Sequence, residues 1–136
     1  MKRKDAERGA AAVEAAFILP VLLLLVMGIM EFGFLFNQQV SATNAAREGA
    51  RNAAIHYADA TFPASVDTAS RAAAPTLVFA GIPDIAYIDG TSCADTGAKV
   101  SVTVLVAPGP NRGWLIGFIP FEGPQISGTA VMQCGG

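Results

Sequence analysis

The sequence has few of the residues from which catalytic and metal-binding sites are built. His56 is its only histidine, and Cys93 and Cys134 are its only cysteines. Structural zinc sites normally need four such ligands, so this set predicts no metal site. The chain also contains no P-loop, no GxGxxG after a strand, no HExxH and no GxSxG. We therefore expect no enzyme activity, no catalytic residues and no cofactor.

Charged residues are also few, and the basic ones are unevenly placed. They make up 15% of the chain, which has a formal net charge of −2. Four basic residues lie near the N-terminus: Lys2, Arg3, Lys4 and Arg8. The next basic residue is Arg47. Nucleic-acid binding typically requires a basic patch, often interleaved with aromatic side chains. The sequence has no such patch, so we expect no nucleic-acid partner.

The longest uniform feature is an apolar run from Ala10 to Met30. As a helix it would be about 31 Å long, close to the thickness of a bilayer's hydrocarbon core. We favour a retained membrane span over a removed secretory signal, because Glu31 and a further apolar stretch at residues 32–36 precede the nearest A-x-A-like site. A buried core helix is excluded by length and continuity. The basic residues before the run predict a cytoplasmic N-terminus.

A carboxylate lies at the start of this run. Glu14 is five residues beyond Gly9, and an acidic residue within a span costs about 2.5–3.5 kcal/mol at its centre and less near its edge. Such an acid usually has a partner. Cleavage after Gly9 would supply one, because it would free the amino group of Ala10.

This segment resembles the processing site of type IV prepilins and pseudopilins, in which a peptidase cuts after a glycine that precedes an apolar helix with glutamate at its fifth position. Here the cut would separate Gly9 from Ala10, with Glu14 as the fifth residue. Alanines at positions 10–12 replace the bulkier residues of ordinary type IV pilins. Taken in order, four motifs are similar to those of the TadE-like family, the pseudopilin-like minor components of tight-adherence (Tad/Flp) pili: RGAAAVE (8–14), LP (19–20), GIMEFG (28–33) and NAAREGAR (44–51).

The resemblance implies a structural protein of the bacterial inner membrane, needed to assemble an adhesive pilus that supports adhesion and biofilm formation. It implies incorporation in the pilus or a role in its assembly. The implied partners are the major pilin, sister minor pilins, the inner-membrane assembly platform and a prepilin peptidase. The alternative hypothesis is an unprocessed, single-pass envelope protein whose outer domain binds a partner or ligand. An intact N-terminus would support the alternative.

Four regions follow along the chain. We predict a cytoplasmic leader at 1–9, which is cleaved, a transmembrane helix at 10–36, a periplasmic extension of that helix at 37–57 and a small periplasmic domain at 58–136. The fold class is α+β. Prolines 63 and 75 bound a short helix at about 64–73. Alternation of apolar and polar residues predicts three strands, which form an antiparallel sheet: residues 85–88, 99–107 and 125–134.

Small residues recur at three- and four-residue spacing beyond the apolar run. Those at the centre of this face are Ala42, Ala46, Gly49 and Ala53. Such a stripe lets another helix approach closely, which is the interpretation we favour. The alternative is that alanine is simply a good helix former.

The two cysteines fall at the same edge of the predicted sheet. Cys93 lies in the connection between the first two strands, and Cys134 ends the third. In an antiparallel meander these points share one edge, where a disulfide can form. An oxidising compartment outside the membrane permits the bond.

An unusually apolar loop precedes the last strand. Residues 108–124 include three aromatic side chains, Trp114, Phe118 and Phe121, which are too large to be typical of an exposed loop. They either fold back to complete the small core, which we favour for Trp114, or form a contact surface for a neighbouring subunit or the membrane interface.

Overall fold

The computed structural model describes the backbone of residues 2–109, 113–117, 120 and 122–134, and the side chains of these ranges from residue 11 onward. The chain divides into two compact units, Met1–Gly33 and Phe34–Gly136. The element order is a long helix, a short helix and three strands. This is the α+β arrangement predicted from the sequence, and it is confirmed.

The first element is a single helix, α1, which spans Lys2–His56. Pro20 lies within it and deprives it of one backbone N–H donor, but the helix continues on both sides. Beyond residue 37 the sequence contains no proline and is dense in alanine, the best helix former. The predicted end of this helix near residue 57 agrees with the observed end at His56.

The second helix, α2, spans Ala64–Ala73. Pro63 precedes it, and the N–H of Ala74 donates to the carbonyl of Arg71 at its end. The proline boundaries therefore give the extent of this helix correctly. Val66 and Ser70 are its buried residues, so its inner face packs within the second unit.

Three antiparallel strands complete the second unit in the order β1-β2-β3. They are β1 (Asp84–Ile88), β2 (Lys99–Leu105) and β3 (Ser127–Gln133). The second and third strands were predicted to be longer. After β2, Val106 forms a bridge with Phe79, and its N–H donates to the carbonyl of Ile126 in the register of the β2–β3 ladder.

The core of this unit lies between the sheet and the helices. One face of β2 presents Val100, Val102 and Val104, all fully buried. Ser101 and Thr103 alternate with them on the other face and are half-buried. The α1 residues that are fully buried are all small: Ala42, Ala45, Ala46, Ala50 and Ala53. Because the side chains that α1 buries between residues 42 and 53 are small, this part of the helix can approach the sheet closely.

Candidate functional site

The first unit presents an apolar helix surface. The helical stretch Ala11–His56 contains a window long and apolar enough to cross a membrane, with a mean hydropathy of 2.5. None of that window is buried by other parts of the protein. Phe17 is 76% exposed and Val21 66%. A continuous apolar surface of this kind is rare on soluble monomers and is consistent with a single-pass membrane protein.

The candidate processing segment lies at the start of this helix. The backbone is helical through Gly9 and Ala10, whose side-chain environment is outside the described set. Glu14 is exposed and lines a shallow, open groove on the surface of the helix. The other residues lining this groove are Ala11, Ala15, Ile18, Leu19 and Leu22. Among the described side chains, Glu14 has no ion-pair partner.

The small-residue face of α1 lies within the second unit. Ala42, Ala46 and Ala53 are fully buried, and Gly49 is buried. The face was predicted to receive another helix, but the sheet covers most of it. A Cβ atom at Gly128 of β3 would overlap the carbonyl of Ala42. The short helix α2 also approaches this face: a Cβ atom at Gly49 would overlap the hydroxyl of Ser70, and Ala53 shares a core cluster with Val66.

Comparison with known proteins gives a match to the part of α1 that contains the candidate processing segment and most of the small-residue face. Residues 9–51 match the family of TadE-like proteins. The resemblance seen in the sequence is therefore confirmed over this range. Neither a curated protein nor a solved structure matches the chain. The TadE-like segment begins at Gly9, contains Glu14 and ends within the buried small-residue face.

Beyond the TadE-like segment, Cys93 and Cys134 form a disulfide. Their Cα atoms are 5.0 Å apart, and both side chains are buried. The N–H of Cys134 also donates to the carbonyl of Ala98 at 2.9 Å. The bond therefore fastens the connection between β1 and β2 to the end of β3, as the meander predicted.

Trp114 is half-buried and packs against a core cluster formed by Leu35, Ala42, Val106 and Ile126. Part of the Trp114 side chain therefore remains exposed. The following residues, Leu115 and Ile116, are about two-fifths exposed. The other two predicted members of this loop, Phe118 and Phe121, lie outside the described residues.

Several polar residues of the second unit have structural partners. The Nδ1 atom of His56 lies 2.8 Å from a carboxylate oxygen of Asp59. The backbone N–H groups of Thr91 and Ser92, and then the Thr91 hydroxyl, donate to Asp95 and lower the pKa of its carboxyl group. Among the described residues, no group of three or more His, Cys, Asp or Glu side chains could hold a metal ion.

Sequence reasoning missed the role of Arg71. Its Nε atom donates to both carboxylate oxygens of Asp67 at 2.9 Å, and its NH2 group donates to the carbonyl of Gly81 at 3.2 Å. The guanidinium also lies 4.8 Å from the ring centre of Phe79. Only the four-residue spacing of Asp67 and Arg71 signals this in the sequence. The contacts fasten the segment before β1 to α2.

Proposed function

We propose that this protein is a minor, pseudopilin-like component of a Tad pilus, processed after Gly9 and held in the bacterial inner membrane by α1. The match of residues 9–51 to TadE-like proteins carries the proposal, because it supports a component associated with Tad pili. The exposed apolar surface of α1 supports membrane insertion. The basic residues before Gly9 support a cytoplasmic N-terminus and a periplasmic second unit.

Processing would give Glu14 a partner. Cleavage after Gly9 frees an amino group on Ala10, four residues before Glu14, and residues four apart are neighbours on a helix surface. The amine of the same chain or of an adjacent subunit can then neutralise the exposed carboxylate. Opposite charges near the low-dielectric edge of a membrane attract strongly, whereas a single charge there is penalised.

The groove around Glu14 suggests how this pairing selects the register of assembly. Ala11 and Ala15 flank the carboxylate and leave room for the backbone of a neighbouring helix. Where the amine of one subunit pairs with Glu14 of its neighbour, a subunit inserted out of register would leave both charges without partners. The proposed neighbours are the major pilin and sister minor pilins, assembled by the inner-membrane platform after a prepilin peptidase has acted.

Mass spectrometry of the N-terminus from native membranes tests the processing step. The wild-type protein should begin at Ala10. Gly9→Leu should retain residues 1–9, because the peptidase recognises the glycine. Gly28→Leu is the matched control, since a Cβ atom at Gly28 meets no atom within 4 Å, and it should still be cleaved. Wild-type protein that retains its leader in cells containing the peptidase would contradict the proposal.

Glu14→Ala tests the role of the carboxylate. Membrane insertion should be unchanged or improved, because a costly acid has been removed. Pilus assembly should fall, because the amine of Ala10 then lacks its partner. Glu48→Ala, at an exposed position later in α1, should leave pili normal. Normal pili in the Glu14→Ala strain would show that charge pairing does not guide assembly.

The second candidate is an unprocessed, membrane-anchored binding protein. A cavity of about 410 Å³ in the second unit favours it, with Gln38, Glu122 and Gln125 as its polar side chains. This function requires no cleavage. The N-terminal measurement therefore separates the two candidates.

A further inference from the structure

One side of β3 is open along the edge of the sheet. The carbonyl of Ile126 accepts from Val106, and the N–H of Cys134 donates to Ala98. Backbone groups of successive strand residues point to opposite sides. The even-numbered residues of β3 therefore bond to β2, and the odd-numbered residues face outward.

Three residues remain available on this outward side. At the start of the edge, the outward carbonyl of Ser127 already has a partner, because the side chain of Gln39 in α1 donates to it at 2.7 Å. The edge-facing N–H and C=O groups of Thr129, Val131 and Gln133 have no partner within the part of the chain that the structure describes. An array of alternating donors and acceptors is complementary to one kind of ligand, an extended polypeptide.

The two edges of the sheet differ in how they are protected. Edge strands are normally guarded by charge, proline or a bulge. Pro83 and Asp84 stand at the start of β1, and Asp89 follows it. In contrast, β3 contains no charged residue and no proline, and its register with β2 is unbroken. The β3 edge alone is therefore open to strand addition.

A small groove lies between the last turns of α1 and the end of β3. Its volume is about 140 Å³, and its lining residues are Arg51, Ala54, Ile55, Met132 and Gln133. Ile55 is 58% exposed and Met132 36%. An added strand would point alternate side chains towards α1. The apolar floor suits an aliphatic side chain, and Arg51 suits an acidic one beside it.

The β3 strand of a second copy is a poor occupant of the edge. Ala42 of α1 contacts Gly128 near the start of β3, whereas Ala53 lies in the same core cluster as Cys134, just past its end. This part of α1 therefore runs in the same direction as β3. Antiparallel pairing of two β3 strands would point the two α1 segments in opposite directions. The β3 strand also contains no acidic residue that could pair with Arg51. The occupant therefore has a different sequence, and its assignment to another subunit rests on the proposed function.

We propose that the β3 edge docks an extended segment of a different subunit, which adds to the sheet as a fourth strand. The segment places an aliphatic side chain in the groove and an acidic side chain near Arg51. Main-chain hydrogen bonds to Thr129, Val131 and Gln133 hold it. The site is distinct from the Glu14 groove, so docking here and charge pairing there are separate events.

Photo-crosslinking in pilus-producing cells tests the proposal with the full chain. A photoreactive amino acid at position 133 should give an adduct with another subunit, and peptide mapping should place the linked residue in an extended segment. Position 88 is the matched control, because Ile88 and Gln133 both pair with Lys99 and occupy opposite edges of the sheet. It should give no such adduct.

Substitutions then test the hydrogen-bonding mode. Val131→Pro removes an N–H that faces outward, a position where strands tolerate proline, and should reduce the adduct about tenfold or more. Val131→Thr keeps that N–H and should leave the yield unchanged. Arg51→Ala should lower the yield by about two- to fivefold, the range for an exposed ion pair.

Several results would overturn the assignment: a second copy as the crosslinked partner, no adduct at 133, equal adducts at 88 and 133, or an adduct that survives Val131→Pro. Thermal unfolding of the purified variants checks their folding. If Val131→Pro does not fold, Thr129→Pro takes its place. Failure of both to fold would also refute the proposal, because these N–H groups would then be needed within the sheet.

Discussion

Gly128→Ala tests the close contact between β3 and α1. The added Cβ atom would overlap the carbonyl of Ala42 and would lie 2.6 Å from the backbone nitrogen of Thr43. Cβ atoms in real proteins essentially never lie closer than 3.0 Å to such neighbours. The obstructing atoms belong to the helix backbone, so no side-chain rotation can relieve the overlap. Either the strand or the helix must move.

The cost follows from that displacement. Overpacking a well-packed interior costs about 1–3 kcal/mol. Moving β3 away from α1 also weakens the hydrogen bond from Gln39 to Ser127, and such a bond contributes about 0.5–1.5 kcal/mol. We therefore expect Gly128→Ala to lower the free energy of unfolding by about 2–4 kcal/mol. That is a large fraction of the 5–15 kcal/mol typical of a domain.

Urea unfolding of the full chain in detergent, followed by fluorescence of Trp114, measures this change. The midpoint should fall while the slope of free energy against urea stays constant. Gly109→Ala is the matched control, because a Cβ atom there meets nothing within 4 Å, and its effect should stay within about 0.5 kcal/mol. Equal midpoints for the two variants would refute the packing argument.

Three further changes probe the rest of the second unit. Replacing Cys93 and Cys134 by serine opens a loop with a sequence separation of 41 and should cost about 4 kcal/mol by the chain-entropy model; non-reducing peptide mapping should show the linked pair in the wild type. Trp114→Ala should cost about 2–3 kcal/mol, less than a fully buried aromatic, and wild-type tryptophan emission should be partly protected from quenchers. Asp95 has a folded-state pKa below its unfolded value, so its stabilisation is present above about pH 4 and is lost as pH falls through the folded pKa. Asp95→Asn should therefore reduce the acid sensitivity of unfolding, and an unchanged pH profile would contradict the role of the Thr91 hydrogen bonds.

Local sequence signals predicted the elements of the fold. Proline at both ends made α2 predictable, and the alternation of valine with polar residues made β2 predictable. The predicted ends of the strands were less accurate, because the point where a strand ends depends on its tertiary partners. Val106 continues the apolar alternation of β2 and still donates to Ile126, yet it lies beyond the end of the strand, where it bridges to Phe79. No local pattern in the sequence predicts the bridge between Val106 and Phe79.

The candidate site residues also differ in how far the sequence alone could predict their contacts. The disulfide followed from the meander alone, because strand order determines which connections share an edge. The partner of the small-residue face did not follow, because a stripe of alanine and glycine admits a helix or a sheet equally well. Gly128 decides between them, and its position opposite Ala42 depends on the packing of β3 against α1. The contacts of Arg71 with Gly81 and Phe79 are also tertiary and carry no local signal beyond Asp67.

The TadE-like segment combines two physically different constraints. Around Glu14, the side chains are exposed, so the packing of the chain does not explain the carboxylate. Around Gly49, the side chains are buried against α2 and β2 of the same chain, so the small residues are explained by folding alone. Family resemblance in the second part is therefore no evidence for a partner helix. Substitutions near Glu14 should alter assembly at constant stability, whereas substitutions near Gly49 should alter stability first and assembly only as a consequence.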